Sequence, residues 1–411
     1  MELQTFIDSN RRLLPRTETN VTPQRNSFKS FLAGFLMSTI LAFLSFGCST
    51  VFFFDAPNKN CTTPPPQPIC QKRIVGYYSA WEYREFTEQQ LSRKLTHLVF
   101  AFVGINISTG RLTFENDGKE TLFWGMMKKA KQAQIKVMIS TDWFTQWTPN
   151  LYGNKTEAER SLIFIENVIE MMRTYRIDGV DFNFDWNKNQ KDKMKDVILM
   201  KEPRKRLLMD SQMTRRSPYL PSMMVPSTDL SSDDEIYLNA LMGYVDFVNV
   251  HSMNFHKYWK VGLGTFPGAP LTLKTGIHKE SIDSKMKYLS CLNQSPSKLN
   301  IGINFFEWCW WDKAKRLLVP WRGKHTIGSK PKIVAFTENT TLEYDGKTFY
   351  TLFEDEESIG TKMKYAMDKN IGGVVIWRLE FDDDQMTLLN AVASDKYCFS
   401  GENQVKFDCF Q

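Results

Sequence analysis

The stretch Asp178-Gly179-Val180-Asp181-Phe182-Asn183-Phe184-Asp185-Trp186 decides how this 411-residue chain is read. In an extended strand, alternate side chains share a face. Val180, Phe182 and Phe184 then point one way, toward a covering apolar layer. Asp181, Asn183 and Asp185 point the other way. Burying such a polar column is costly unless each group is paired or solvated. Parallel barrels provide that setting at the C-terminal ends of their strands, where side chains from several strands converge on one mouth. The competing arrangement, a solvated edge strand with an acidic face, would not need three apolar residues on the other face.

Working outward, short β-branched or aromatic runs alternate with longer amphipathic segments from Lys72 onward. The strand candidates are Ile74–Tyr78, His97–Val103, Lys136–Ser140, Gly179–Asp185, Tyr219–Val225, Val245–His251, Leu299–Phe305 and Gly373–Trp377. Helical patterns lie between most of them, such as Glu157–Tyr175 and Ser358–Asp368. Eight strands alternating with helices predict an α/β fold of the (β/α)8 barrel (TIM barrel) type over residues 72–395. A doubly wound open sheet is the alternative, but no Gly-rich phosphate loop follows the first strand.

Ahead of the barrel, Phe31–Phe54 is an uncharged, mostly apolar run of 24 residues, long enough to cross a bilayer core with some tilt. Arg11, Arg12, Arg16, Arg25 and Lys29 precede it; Asp55 and Lys59 follow. A cleaved signal peptide has a shorter apolar region and seldom follows so long a polar lead. We therefore expect a cytosolic tail at 1–30, a transmembrane signal anchor at 31–54 and a single-pass type II orientation, with the barrel lumenal or extracellular. Residues 55–71, with Pro64-Pro65-Pro66, read as an extended stalk, and residues 396–411 as a Cys-containing C-terminal tail. Sequons at Asn60, Asn106, Asn154, Asn293 and Asn339 agree with that orientation. So do six Cys beyond the anchor (Cys61, Cys70, Cys291, Cys309, Cys398, Cys409), which read as disulfide-forming with the pairing open.

Hydrophobic residues make up 42% of the chain and charged residues 24%, ordinary values for a packed protein. The formal charge of +6 comes from 52 basic and 46 acidic residues spread along the chain, which gives no case for nucleic acid. The densest basic stretch, Lys201 to Arg216, reads as the wet face of a helix. No Cys or His spacing suits a zinc site, and no nucleotide or other cofactor is implied. The aromatic fraction of 13%, with eleven Trp, calls for an explanation.

The quoted stretch resembles the signature of glycoside hydrolase family 18, the chitinases, which reads Asp-Gly-x-Asp-x-Asp-x-Glu at the end of the fourth barrel strand. Arg73-Ile-Val-Gly-Tyr-Tyr-Ser-Ala-Trp81 is similar to the family's first strand. Leu95-Thr-His-Leu-Val-Phe-Ala-Phe102 is similar to its second, and Lys298-Leu-Asn-Ile-Gly302 to its seventh. Asp355-Glu-Glu-Ser-Ile359, Gly372-Gly-Val-Val-Ile-Trp377 and Asp382-Asp383 resemble its last helix and strand. An anchored chain with an altered motif is most similar to membrane-anchored chitinase-like proteins of nematodes.

The resemblance implies a barrel for β-1,4 N-acetylglucosamine polymers, in which the substrate's acetamido group serves as nucleophile, outside the two-carboxylate scheme. Position by position, Asp185 stands where the family has the acid Glu, and Asn183 where it has the Asp that orients the acetamido group. Met253 and Asn254 replace the Tyr and Asp of the sixth strand. The third strand reads Ser140-Thr-Asp142-Trp143 in place of a Ser-x-Gly-Gly turn. Retracting an acid by one methylene can cost about 100-fold, and losing one preorganised donor about 100 to 1,000-fold. No catalytic residue is therefore expected at Asp181, Asn183, Asp185, Met253 or Asn254. Tyr77, Trp81, Phe102 and Trp377 match aromatic positions of the family's sugar cleft and, with Asp185, are the expected glycan contacts. Trp143, Trp186, Trp259 and Trp308 also fall just after strand ends, whereas Trp259, Trp308, Trp310 and Trp311 are bulky enough to block the cleft. The leading expectation is a non-hydrolytic protein that binds chitin or related glycans. The alternatives are an interaction or decoy scaffold with a closed cleft, and a weak hydrolase or transglycosidase acting through Asp185.

Overall fold

Strand alternation fixes the architecture. In the computed structural model, β1 (Arg73–Tyr78), β2 (His97–Ile105), β4 (Lys136–Asp142), β5 (Gly179–Asn183), β6 (Leu220–Val225), β7 (Phe247–Val250), β8 (Leu299–Asn304) and β13 (Gly373–Trp377) are all parallel. Because β1 pairs with both β2 and β13, the sheet closes into an eight-stranded barrel, with β3 (Leu112–Thr113) added antiparallel to the end of β2. The structure describes residues 72–79, 81, 84–105, 111–142, 157–183, 190–226, 232–253, 255, 269–272, 280–312, 315–321, 340–344, 347–394, 396–397 and 404–409. The expected tail, anchor and stalk at 1–71 lie outside these residues. Among the described residues no helix is long and apolar enough to cross a membrane.

Two apolar layers follow from the period of two. Val75, Tyr77, Val99, Ala101, Met138, Phe247 and Val375 fill the barrel's interior. Their strand neighbours, Val180 and Phe182 among them, join the larger layer between strands and helices. The helices are α1 (Glu88–Leu91), α2 (Asp117–Gln132), α3 (Glu157–Thr174), α4 (Gln190–Met213), α5 (Ser232–Tyr244), α6 (Ile282–Asn293), α7 (Glu356–Asp368) and α8 (Thr387–Val392). Helix α7 starts two residues before the apolar pattern suggests, because Asp355 caps it. The Asp355 carboxylate accepts from the Ser358 amide at 2.7 Å while the Ser358 hydroxyl accepts from the Asp355 amide at 2.9 Å, a reciprocal capping box. The basic stretch Lys201–Arg216 lies on α4 and just past it. Arg204 pairs with Asp246 at 2.9 Å, Arg206 with Glu166 at 3.0 Å, and the Arg216 guanidinium sits 3.7 Å from the Tyr219 ring centroid.

Between β8 and β13 the chain forms a separate antiparallel sheet in the order β10-β9-β12-β11, built from β9 (Phe306–Asp312), β10 (Lys315–Pro320), β11 (Thr340–Tyr344) and β12 (Lys347–Leu352). Gly302 shows why β8 admits no side chain at that point. A Cβ there would stand 2.7 Å from the Val250 carbonyl oxygen and 3.0 Å from Met253 Cγ. At the opposite end of the barrel the C-terminal segment is tied down. A disulfide joins Cys291 on α6 to Cys409 with Cα atoms 5.4 Å apart, and Asn370 Nδ2 donates to the Gln404 carbonyl at 2.9 Å. This assigns one of the expected disulfides. Cys61, Cys70 and Cys398 lie outside the described residues.

Candidate functional site

The buried centre of the site is Asp181 on β5, 0% exposed. Four side chains from four other strands donate to it. Tyr77 (2.6 Å) and Ser140 (2.8 Å) reach Oδ2, and Ser222 (2.6 Å) and Asn249 (3.3 Å) reach Oδ1. Burial pushes the Asp181 carboxyl up, and these donors pull it back down. The same burial, reinforced by Asp181, holds the Tyr77 phenol well above its ordinary value, so the phenol remains a donor. The network continues downward, with Asn300 Nδ2 donating to Asn249 Oδ1 at 2.9 Å and Arg73 Nε to Asn300 Oδ1 at 3.1 Å. The Arg73 guanidinium, lowered to about 10 by burial, lies 5.2 Å from the Phe247 ring centroid. A polar thread therefore runs through the barrel from its lower rim to the carboxylate.

Ser222, Asn249 and Asn300 were not singled out from sequence. Their signal was a polar residue at an inward position of an otherwise apolar strand, in Leu-Pro-Ser-Met-Met, Phe-Val-Asn-Val and Leu-Asn-Ile-Gly.

Above the carboxylate the expected aromatic residues come together. Trp377 lies 5.5 Å from Tyr77, 5.9 Å from Trp81 and 6.0 Å from Phe102, and Trp81 lies 6.2 Å from Phe102. Trp81, Phe102 and Trp377 are half-buried at the mouth. Tyr77 is different: it is 1% exposed, and its hydroxyl is committed to Asp181 and Asn249. It stands beneath the other rings, as a donor to the buried carboxylate. The peptide bonds Ala101–Phe102 and Trp377–Arg378 are cis.

Arg378, directly after Trp377, stands behind these rings. Its guanidinium lies 5.1 Å from the Trp81 centroid and 3.8 Å from that of Phe381. Its Nη1 donates to Ser79 Oγ and, at 2.8 Å, to Glu380 Oε1. Glu380 is 0% exposed and also accepts from the Ser79 amide at 2.8 Å.

The positions expected to depart from the family pattern divide. Asn183 closes β5, half-buried, opposite Asp142 and Met224 in the neighbouring strands. Met253 is 1% exposed and packs in the layer between strands and helices. Asp185 and Asn254 lie outside the described residues, as do Trp143, Trp186 and Trp259. Trp308, Trp310 and Trp311 belong to β9. Among the described residues no group of three or more His, Cys, Asp or Glu could hold a metal ion.

The chain belongs to glycosyl hydrolases family 18, which its residues 73–382 match. It is 23% identical over 349 residues to a probable endochitinase of Caenorhabditis elegans, covering 75% of this chain and 56% of that protein. The chain thus spans little more than half the length of that relative. A probable chitinase 2 of Drosophila melanogaster is 24% identical over 368 residues, 77% of this chain and 73% of that protein. Among solved structures, a family 18 chitinase mutant from Cycas revoluta in complex with (GlcNAc)4 superposes with a TM-score of 0.65 at 20% identity, covering 79% of this chain and 99% of that one. A chitinase-like agglutinin from Robinia pseudoacacia gives 0.63 at 22% identity, covering 78% and 98%.

Proposed function

We propose that this protein is a chitinase-like barrel that binds chitin or related N-acetylglucosamine glycans at its mouth without hydrolysing them. The observation that carries this reading is the contrast within one site. Trp81, Phe102 and Trp377 stand assembled, half-exposed, over the barrel, while the positions from which the family's chemistry is done carry a carboxamide, Asn183, and a buried thioether, Met253. Aromatic faces suit the apolar face of a pyranose. A carboxamide carries no charge to steady a developing oxazolinium cation, and a thioether has no hydroxyl to donate. Asp181 does not substitute for the acid, because both its oxygens are occupied by donors. The solved relative crystallised with (GlcNAc)4 and the chitinase-like agglutinin support a glycan ligand.

The test is titration of the purified protein with chito-oligosaccharides, alongside an assay for released sugar. Binding without product is expected. Product that disappears in Asp185→Asn would replace this reading with a hydrolase or transglycosidase. Absence of binding would favour the interaction scaffold. Combining Asn183→Asp, Asp185→Glu, Met253→Tyr and Asn254→Asp asks whether the cleft is open, since recovered chitinolysis requires access.

The proposal includes the membrane. Residues 31–54 anchor the chain, with the barrel lumenal or extracellular, supported by the basic residues before that run and the sequons after it. In sealed microsomal vesicles, whose outer face is cytosolic, added protease should trim the N-terminal tail and leave the barrel protected, and a protected tail with a cleaved barrel would overturn the orientation.

A further inference from the structure

Away from the mouth, on the outer ring of helices, Trp124 of α2 is 43% exposed, and among the described residues it is the aromatic ring most open to solvent. Solitary exposed apolar side chains are common and need no account, but Trp124 is not solitary. Its ring lies 5.1 Å from that of Tyr175, the planes tilted by 46°, so the two rings pack against each other. Tyr175 is held in place from two directions. Its hydroxyl donates to Glu120 Oε1 at 2.7 Å, and its ring packs edge-on against Phe114 and Phe123, each at 5.5 Å. Phe114 and Phe123 rest in turn on Phe100 of the barrel wall, at 5.5 and 5.2 Å. The ring pair is therefore held in a fixed arrangement, with the Glu120 carboxylate bonded at the edge of Tyr175. Gly125, next to Trp124, has open space where a side chain would project.

We infer that Trp124, Tyr175 and Glu120 form a second carbohydrate-binding site, which takes one neutral pyranose unit of a glycan chain. The exposed Trp124 ring offers an apolar face, and Glu120 offers an acceptor for sugar hydroxyls. The neighbours decide between ligand classes. Glu120 repels an anionic ligand. The exposed Lys128, one helical turn beyond Trp124, and Arg176, beside Tyr175, repel a cationic one. A protein partner would need roughly 800 Å² of surface on this side, whereas the exposed residues around the rings (Thr121, Lys128, Thr174, Arg176) are polar. The ligand class is shared with the mouth, but the site does not depend on it. On a polymer, two weak contacts raise retention above either alone.

The experiment compares wild type, Trp124→Gln, Glu120→Gln and Trp377→Ala, each as the purified full chain, on soluble chitotetraose and on insoluble chitin. Melting temperature serves as the folding control. Trp124→Gln should leave affinity for the tetramer within about twofold of wild type and lower retention on insoluble chitin roughly five- to tenfold. Glu120→Gln should act in the same direction and more weakly. Retention equal to wild type in both of these variants overturns the proposal. If soluble tetramer does not bind but wild type is held on chitin and Trp124→Gln releases it, the mouth reading fails and this site stands. If wild type is not retained on chitin at all, this site fails as well.

Discussion

The Tyr77 hydroxyl lies 2.6 Å from Asp181 Oδ2 in the interior of the barrel, where Asp181 has no exposure and Tyr77 has 1%. This contact joins β1 to β5 across the barrel rather than along a sheet edge. Removing the hydroxyl leaves a buried carboxylate short of one donor. Tyr77→Phe should cost about 1–3 kcal/mol of stability by urea unfolding. Ser222→Ala should cost a similar amount through the other oxygen. Losses near zero in both variants would mean that water enters the site and replaces them.

His97 gives the protein an acid-sensitive joint. It stands at the start of β2, its ring 5.2 Å from that of Phe247, and burial together with Arg73 and Lys136 pushes its imidazole down to about 3. The unfolded chain, with an ordinary imidazole near 6.5, therefore binds a proton that the folded chain refuses. This contribution to stability is complete above about pH 6.5 and is lost as pH falls toward 3. Since the ring is partly exposed, solvent screening limits it to the order of 1–3 kcal/mol. Melting temperature measured from pH 7 to pH 4 should fall less steeply in His97→Gln than in wild type.

Arg378 and Glu380 form a pair whose side chains are only 6% and 0% exposed. Breaking a buried pair from one side strands the other charge. Arg378→Met should cost about 3–5 kcal/mol, and Arg378→Met with Glu380→Gln should recover much of that loss. Unfolding curves of the single and double variants check this; an additive double variant would mean that the two groups act independently.

The disulfide between Cys291 and Cys409 closes a segment of 118 residues in sequence separation. Cys409→Ser should lower stability by about 2–4 kcal/mol. Limited proteolysis should then remove the end of the chain while the barrel persists. A tail that stays protected would show that the contacts of Asn370 and Lys369 suffice to hold it.

The barrel was legible because its signal is local. Alternation along Gly179–Asn183 is enough to send Asp181 inward and Phe182 outward, and each of the eight expected strands lies within two residues of an observed one at both ends. The rim of aromatic residues was legible for a different reason: Trp81, Phe102 and Trp377 sit in segments that resemble known strands. What surrounds Asp181 was not legible. Ser222 and Asn249 become partners of that carboxylate only through the pairing of Asp181 with Ser222 and of Met224 with Asn249, and register is set by the whole closed sheet. The burial of Tyr77 was not legible either, because sequence distinguishes an inward position from an outward one but not its depth. The Cys291–Cys409 pairing was beyond reach for the same reason, since the residues are remote in the chain.

One consequence follows from the Lys72 side chain, whose Nζ donates to the Ser394 carbonyl at 2.6 Å. The chain enters the barrel and leaves its last helix at one rim, while Trp377 closes its strand at the other. A label placed on Lys72 would therefore report on the rim remote from Trp377 and stay clear of the mouth.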